Sequence, residues 1–267
     1  VQLLVVGATG RIGRLLRAAW AAAPPEGIAP LWQTRRAAPP GWVQWDPLGP
    51  APMPDCDAVL DLAGVTDAAA GALAVNARLA AAVAAAARGR RILYASSVAV
   101  YGPTGPAASE AQPSRPATAY GASKLAAEAA VAGRATVLRI GNAIGADALQ
   151  AAVAAVAAGQ PIRFDRFADG GGPRRSCIGP ATLARVLAAL AVQPDLPPVL
   201  NVASPGAVDL AAILRAAGVP FEWRPAPPGS LRHAVMDCTR LAALVPLPVA
   251  DPGTIAAEWR AAAALAA

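Results

Sequence analysis

The chain has 267 residues, 23 Lys+Arg against 17 Asp+Glu, a net charge of +6 and one histidine, His233. Three dispersed cysteines, Cys56, Cys177 and Cys238, form no CxxC pair, so no metal site is expected, and the shortage of histidines argues against Ser-His-Asp and Cys-His catalysis. The arginines are scattered apart from RGRR at 88–91, which points to small anionic ligands rather than nucleic acid; no apolar run of 18 residues is unbroken, so no membrane span is expected. VQLLVVGATG reads as a strand entering a glycine turn and not as a leader, which leads to the expectation of a cytoplasmic protein with free thiols.

In chain order, VQLLVV (1–6) is an apolar strand ended by Gly7, and 11–23 has helical spacing at Ile12, Leu15, Leu16 and Trp20. Strands follow at 29–34, 42–45 and 57–64, then an Ala-rich helix at 67–88, a strand at 90–97, a helix at 118–132 and a strand at 135–142. This alternation predicts an α/β fold, a Rossmann-type doubly wound parallel sheet with ligands at the carboxyl ends of its strands. Helices are predicted near 147–158, 181–192, 208–217 and 252–266, with a strand at 198–203 and dense Pro and Gly between them. Residues 1–145 are therefore expected to form the dinucleotide-binding domain, and 146–267 a small C-terminal substrate lobe that is not an independent domain.

Gly7, Gly10 and Gly13 lie between the first strand and the first helix, the context in which a tight turn, close backbone approach and a helix N-terminus receive a pyrophosphate. The second strand ends in WQTRR, with no carboxylate for a ribose 2′-OH. Arg35 and Arg36 suit a 2′-phosphate instead, so NADP is preferred over NAD. Asp46, after the third strand, is a candidate for the adenine.

Tyr120 and Lys124 are four residues apart on one helix and share a face. Lys124 is the single lysine in a chain with 22 arginines. A compact ammonium near a phenol stabilises the phenolate; bringing it into the neutral range requires about 4 kcal/mol. Ser96 and Ser97 end the preceding strand, and spacing does not choose between them as the substrate-orienting hydroxyl.

GATGRIG (7–13), DLAG (61–64), SSVAVYG (96–102), YGASK (120–124) and LRIGNAIG (138–145) come in an order that resembles the extended short-chain dehydrogenase/reductases, in particular the NAD-dependent epimerase/dehydratase family. The resemblance is densest over 1–145; VLNVASPGAVDLAAILRAAG (199–218) and MDCTRLAAL (236–244) resemble later family segments. It implies Tyr120 as general acid/base, Lys124 as its partner and Ser97, with Ser96 one place early, as the catalytic hydroxyl. It also implies cofactor contacts from Gly7, Thr9, Gly10, Arg11, Ile12, Gly13, Leu62, Ala63 and Gly64. Asn76 is implied as structural or as a water relay, Asn142 and Arg175 as contacts to the substrate's phosphates, and a homodimer through the helices at 67–88 and 118–132. The chain departs from the pattern at Cys177, at Thr182 and in Ser97-Val98-Ala99, which lacks the acids of a dehydratase. The expected function is an NAD(P)-dependent oxidoreductase or epimerase acting on a sugar or nucleotide sugar. The short lobe keeps open an NADP-dependent reductase of a small non-nucleotide substrate, and a non-catalytic NADP-binding regulator is the reading from another class.

Overall fold

The computed structural model describes every residue except 67–71, 106, 158, 160 and 267. The apolar run at the start forms β1 (Gln2–Val6), buried from Leu3 onward. It leads through the glycine turn into α1 (Arg11–Ala22), which buries Gly13, Leu15, Leu16 and Trp20. β2 (Ala29–Thr34), β3 (Trp42–Gln44) and the fully buried β4 (Ala58–Asp61) follow. The first residues of the helix expected at 67–88 lie outside the described residues; a 3-10 turn at Ala72–Ala74 precedes α2 (Val75–Ala87). Then come β5 (Arg91–Ser97), α3 (Ala119–Val131) and β6 (Thr136–Ile140).

Beyond β6 the elements are shorter. β7 (Asn142–Ala143), α4 (Ala148–Ala157), β8 (Ile162–Arg166), β9 (Arg174–Arg175) and β10 (Cys177–Ile178) lead to α5 (Pro180–Val192) and β11 (Val199–Val202). β12 (Val208–Asp209), α6 (Leu210–Ala217), β13 (Phe221–Pro225), β14 (His233–Ala234), α7 (Thr239–Leu244) and α8 (Pro252–Ala266) complete the chain.

The main sheet has seven strands in the order β11-β6-β5-β4-β1-β2-β3, and every pairing is parallel. Chain direction across the sheet reverses between β1 and β4, the place where such sheets open a crevice for ligands. One face packs Leu3, Val5, Leu93, Leu138 and Leu200 against Leu16 and Trp20 of α1 and Leu187 and Leu190 of α5. The other face packs Leu4, Val6, Val59, Tyr94 and Val137 against Ala80 and Val83 of α2 and Ala127 and Val131 of α3. Side chains alternate between these faces along each strand, so a residue's parity decides which layer it meets.

α5 and β11, from the segment assigned to the lobe, return to the sheet: β11 extends it beyond β6 and α5 lies on α1. The other late strands pair among themselves, β10 with β7, β9 between β12 and β14, and β8 with β13. No helix among the described residues is long and apolar enough to cross a membrane.

Candidate active site

The glycine turn is shaped by close contact. Gly7 has φ +79°, and a Cβ there would stand 2.8 Å from the Ala63 nitrogen. A Cβ at Gly13 would meet the Gly7 and Ala8 carbonyl oxygens at 2.6 Å. The turn thus nests against Leu62 and Ala63 at the end of β4. Gly10 caps α1 without a side-chain hydrogen bond, and no acidic side chain occupies the first helical turn. Arg14 and Arg17 donate to the Thr9 and Ala8 carbonyls at 3.3 and 3.2 Å, which ties the turn's acceptors back. Donor N–H groups and a positive helix end therefore face the crevice, and the turn fits a dinucleotide pyrophosphate.

Gln33 was not visible as a site residue from sequence. Its Oε1 accepts from the Gly7 N–H at 2.9 Å, and its Nε2 donates to the Trp45 carbonyl. Gln33 is 3% exposed, so β2 anchors the turn from the interior. The one available signal was an amide next to the end of an otherwise apolar strand. At the same edge Arg35 and Arg36 are exposed, and the Arg36 N–H donates to Thr34 Oγ1 at 3.1 Å. Asp46 is exposed, and its Oδ1 accepts from the Leu48 N–H at 3.1 Å, an Asx turn that ends the β3 segment.

Parity separates the two serines. Ser96 faces α3, where its hydroxyl donates to Glu128 Oε1 at 2.5 Å. Ser97 ends β5 and caps the following 3-10 turn, its Oγ accepting from the Ala99 N–H at 3.2 Å, and it acts on the Tyr120 phenol in the direction that favours ionisation. Tyr120 stands in the first turn of α3, which Thr118 caps by accepting from the Gly121 N–H at 3.0 Å. A Cβ on Gly121 would overlap the Ala99 carbonyl, so this glycine lets the helix start close to the end of β5. Arg11, at the start of α1, is near enough to favour the Tyr120 phenolate electrostatically. The cofactor turn and the tyrosine therefore share one crevice.

Two expectations need correction. Lys124 does not reach the Tyr120 hydroxyl; its Nζ donates to Tyr94 Oη at 2.7 Å and sits 4.4 Å from that ring's centroid. The Tyr120 phenol stands above its ordinary pKa rather than below it, because burial outweighs the help of Ser97 and Arg11. The first follows from how deep α3 lies over β5, which puts the Tyr94 hydroxyl within reach of the ammonium, and the second from burial of the phenol.

Asn76 is structural in form. Its Oδ1 accepts from the Val65 N–H at 2.8 Å, and its Nδ2 donates to the Val65 carbonyl and to Ser123 Oγ, each at 3.0 Å. Asn142 donates to Asp147 Oδ2 at 3.2 Å beside a cavity of about 340 Å³, lined also by Leu149, Ile162, Phe164 and Leu210. Burial raises the Asp147 carboxyl. Arg175 uses its guanidinium on the carbonyls of Arg174, Leu231 and Arg232 at 2.8–3.1 Å. The neighbouring Arg232, which sequence reading passed over, pairs with Asp169 at 2.6 Å while its buried Nε and Nη1 have no partner among the described residues.

A doubly wound parallel sheet with a glycine turn at its switch point defines a dinucleotide-binding α/β fold. The model of the NAD dependent epimerase/dehydratase family matches residues 3–202, and the chain belongs to that family. Similar solved structures include MoeE5 in complex with UDP-glucuronic acid and NAD, at 22% identity and TM-score 0.75 over 97% of this chain and 99% of that one. The UDP-glucose 4-epimerase of Thermus thermophilus in complex with NAD is 22% identical, with TM-score 0.74 over 97% and 99%. The UDP-glucuronic acid 4-epimerase of Bacillus cereus in complex with UDP-glucuronic acid and NAD is 17% identical, with TM-score 0.76 over 99% and 100%. No curated protein matches the chain.

Proposed function

We propose that the protein interconverts an alcohol and a carbonyl on the sugar of a nucleotide sugar, with epimerisation as the net reaction. The observation that carries this reading is the placement of Tyr120 in the first turn of α3, which Thr118 caps and Gly121 sets against the chain that leaves β5 at Ser97. When bound, a nicotinamide dinucleotide takes up and returns the hydride. The turn residues Gly7 to Gly13 and the end of β4, Leu62 to Gly64, would hold its phosphates and ribose. Ser97 orients the reacting sugar oxygen, and Tyr120 removes and later returns the proton on that oxygen. Its raised phenol keeps the proton at neutral pH until a cation comes close, so the base forms only in the assembled site.

Nucleotide recognition rests on the second half of the chain. The cavity beside Asn142 has room for a base, and its apolar walls carry one carboxyl as a polar anchor. Arg232, with two buried donors that have no partner among the described residues, suits a diphosphate, while Arg175 beside it is held by the carbonyls of Arg174, Leu231 and Arg232. We place the substrate lobe at residues 146–267, with α5 and β11 serving the sheet. UDP-sugars in the complexes named above support the same class.

The test is incubation with UDP-glucose and UDP-glucuronic acid, followed by NMR of the sugar. Appearance of the epimer with no net change in nicotinamide absorbance is expected. Tyr120→Phe should lower the rate by about 10²–10⁴-fold while dinucleotide binding persists. Unchanged turnover in Tyr120→Phe would overturn the assignment. A second reading, an NADP-dependent reductase that exchanges its cofactor, is favoured by Arg35 and Arg36 at the end of β2.

A further inference from the structure

We propose that Asp61 is a built-in counter-charge to Lys124, a positioning residue beneath α3 that keeps the ammonium charged where it lies against Tyr94. This rests on the reading of Tyr120 given above and adds a residue that it does not use.

The geometry comes from strand register. Asp61, last residue of β4, is the direct partner of Tyr94 on the parallel strand β5. Register partners in a parallel pair project to the same face, here the one covered by α2 and α3. Lys124 comes down from α3 onto this spot and donates to Tyr94 Oη at 2.7 Å. The chain leaving β4 closes over the ammonium: a Cβ on Gly64 would lie 3.9 Å from Nζ. Asp61 is 1% exposed, and the Ala63 N–H reaches its Oδ1 at 3.0 Å. A carboxyl and an ammonium are thus buried together under the catalytic helix.

The groups facing Lys124 can be sorted by charge. Tyr94 on β5 is a neutral phenol held well above neutrality by burial. Glu128, one turn further along α3, is already neutralised by Arg139 at 2.7 Å and accepts from Ser96. Asp61 is left as the anion that balances the ammonium. Burial pushes its carboxyl up to about 6, and Lys124 pulls it back. Burial pulls Lys124 down to about 8, with Asp61 the first group opposing that and Glu128 the second. Without Asp61 the lysine would give up its proton more readily, and the charge held against Tyr94 would go with it.

Lys124 is the chain's single lysine, so ¹³Cε-lysine labelling gives one resonance to titrate in tag-free protein. Asp61→Asn keeps the acceptor for the Ala63 N–H and should move the Lys124 midpoint down by roughly one pH unit or more. The pH profile of kcat should narrow from the alkaline side, its upper limb falling with Lys124. A purely structural role would lower kcat evenly and leave that limb in place. An unmoved lysine midpoint in folded Asp61→Asn overturns the pairing; a moved midpoint with an unmoved limb overturns the positioning role. Should Asp61→Asn fail to fold, Lys124→Met gives the reciprocal readout. The Asp61 ¹³Cγ midpoint should then rise, and if it stays in place the pairing is overturned. Failure of the tyrosine assignment is separable, because Tyr120→Phe tests it by turnover while the lysine titration reads Asp61 alone.

Discussion

At the scale of single residues, cofactor choice turns on the end of β2. Thr34 closes the strand, no carboxylate follows it, and Arg35 and Arg36 stand exposed beyond it. A ribose 2′-OH is commonly held by a carboxylate at this place, and a 2′-phosphate by a guanidinium. Exposed ion pairs to phosphate are screened by salt, so whatever these arginines add to the binding of a 2′-phosphate should be modest and should rise at low ionic strength. The structures named above contain NAD, so the arginines carry this prediction alone. Replacing both (Arg35→Ala with Arg36→Ala) should weaken NADPH binding about 10-fold or more at low salt and leave NADH binding within about 2-fold. Calorimetric titration with each dinucleotide checks this; equal losses for both would mean that the arginines act on the common pyrophosphate or on the fold.

At the scale of elements, α3 carries the proposed site and is fixed by polar contacts at both its start and its middle. Thr118 caps it, Gly121 lets it approach the end of β5, and Glu128 is locked between Ser96 and Arg139. The lock continues outward: Arg139 lies over the Tyr101 ring at 4.7 Å, and the Tyr101 hydroxyl donates to Asn201 Oδ1 at 2.7 Å. Catalytic helix, sheet and late chain thus share one buried polar chain. Thr118→Ala removes the cap and should cost about 1 kcal/mol, read as a lower urea midpoint. Because Tyr120 sits in that first turn, kcat should fall as well while dinucleotide affinity holds, since the glycine turn lies on another element. Much of this region was legible: strand and helix alternation follows from apolar runs and periodicity, and the Tyr–Lys spacing is local. What was not legible depends on long-range contact. The choice of Ser97 over Ser96 needed the strand's parity against α3, and the aim of Lys124 at Tyr94 needed the depth of α3 over β5. β8 and β13 escaped because IRFDR and FEWRP alternate short apolar and charged residues and find each other only across 54 intervening residues, 167 to 220.

At the scale of the whole molecule, the buried Asp61–Lys124 pair should leave a mark on global stability, because proton binding differs between folded and unfolded chains. Asp61 is raised from 3.8 to about 6. Between those values the folded protein holds a proton that the unfolded chain has released, so stability falls as pH rises through the window. Lys124 is lowered from 10.5 to about 8. Between those values the unfolded chain holds the extra proton, so stability rises with pH. The two windows enclose a trough between about pH 6 and 8, with an acid wall on the order of 2–3 kcal/mol from Asp61. The raised thiols of buried Cys56, Cys177 and Cys238 oppose the alkaline rise above their ordinary value of 9.0. Asp147 is raised by burial in the same direction and steepens the same wall. The lowered carboxyls of Asp169, Asp237 and Asp251 act in the opposite sense, below their ordinary value of 3.8 and outside the window. Urea unfolding at half-unit steps from pH 4 to 10 should show the trough, and Asp61→Asn should flatten its acid wall, with Asp147 left to supply what remains. An acid wall equally steep in Asp61→Asn would mean that Asp61 titrates alike in both states. A flattened wall would mean that the protein sacrifices stability at neutral pH to keep a charged pair buried beneath Tyr120, the arrangement expected where a charge serves chemistry rather than folding.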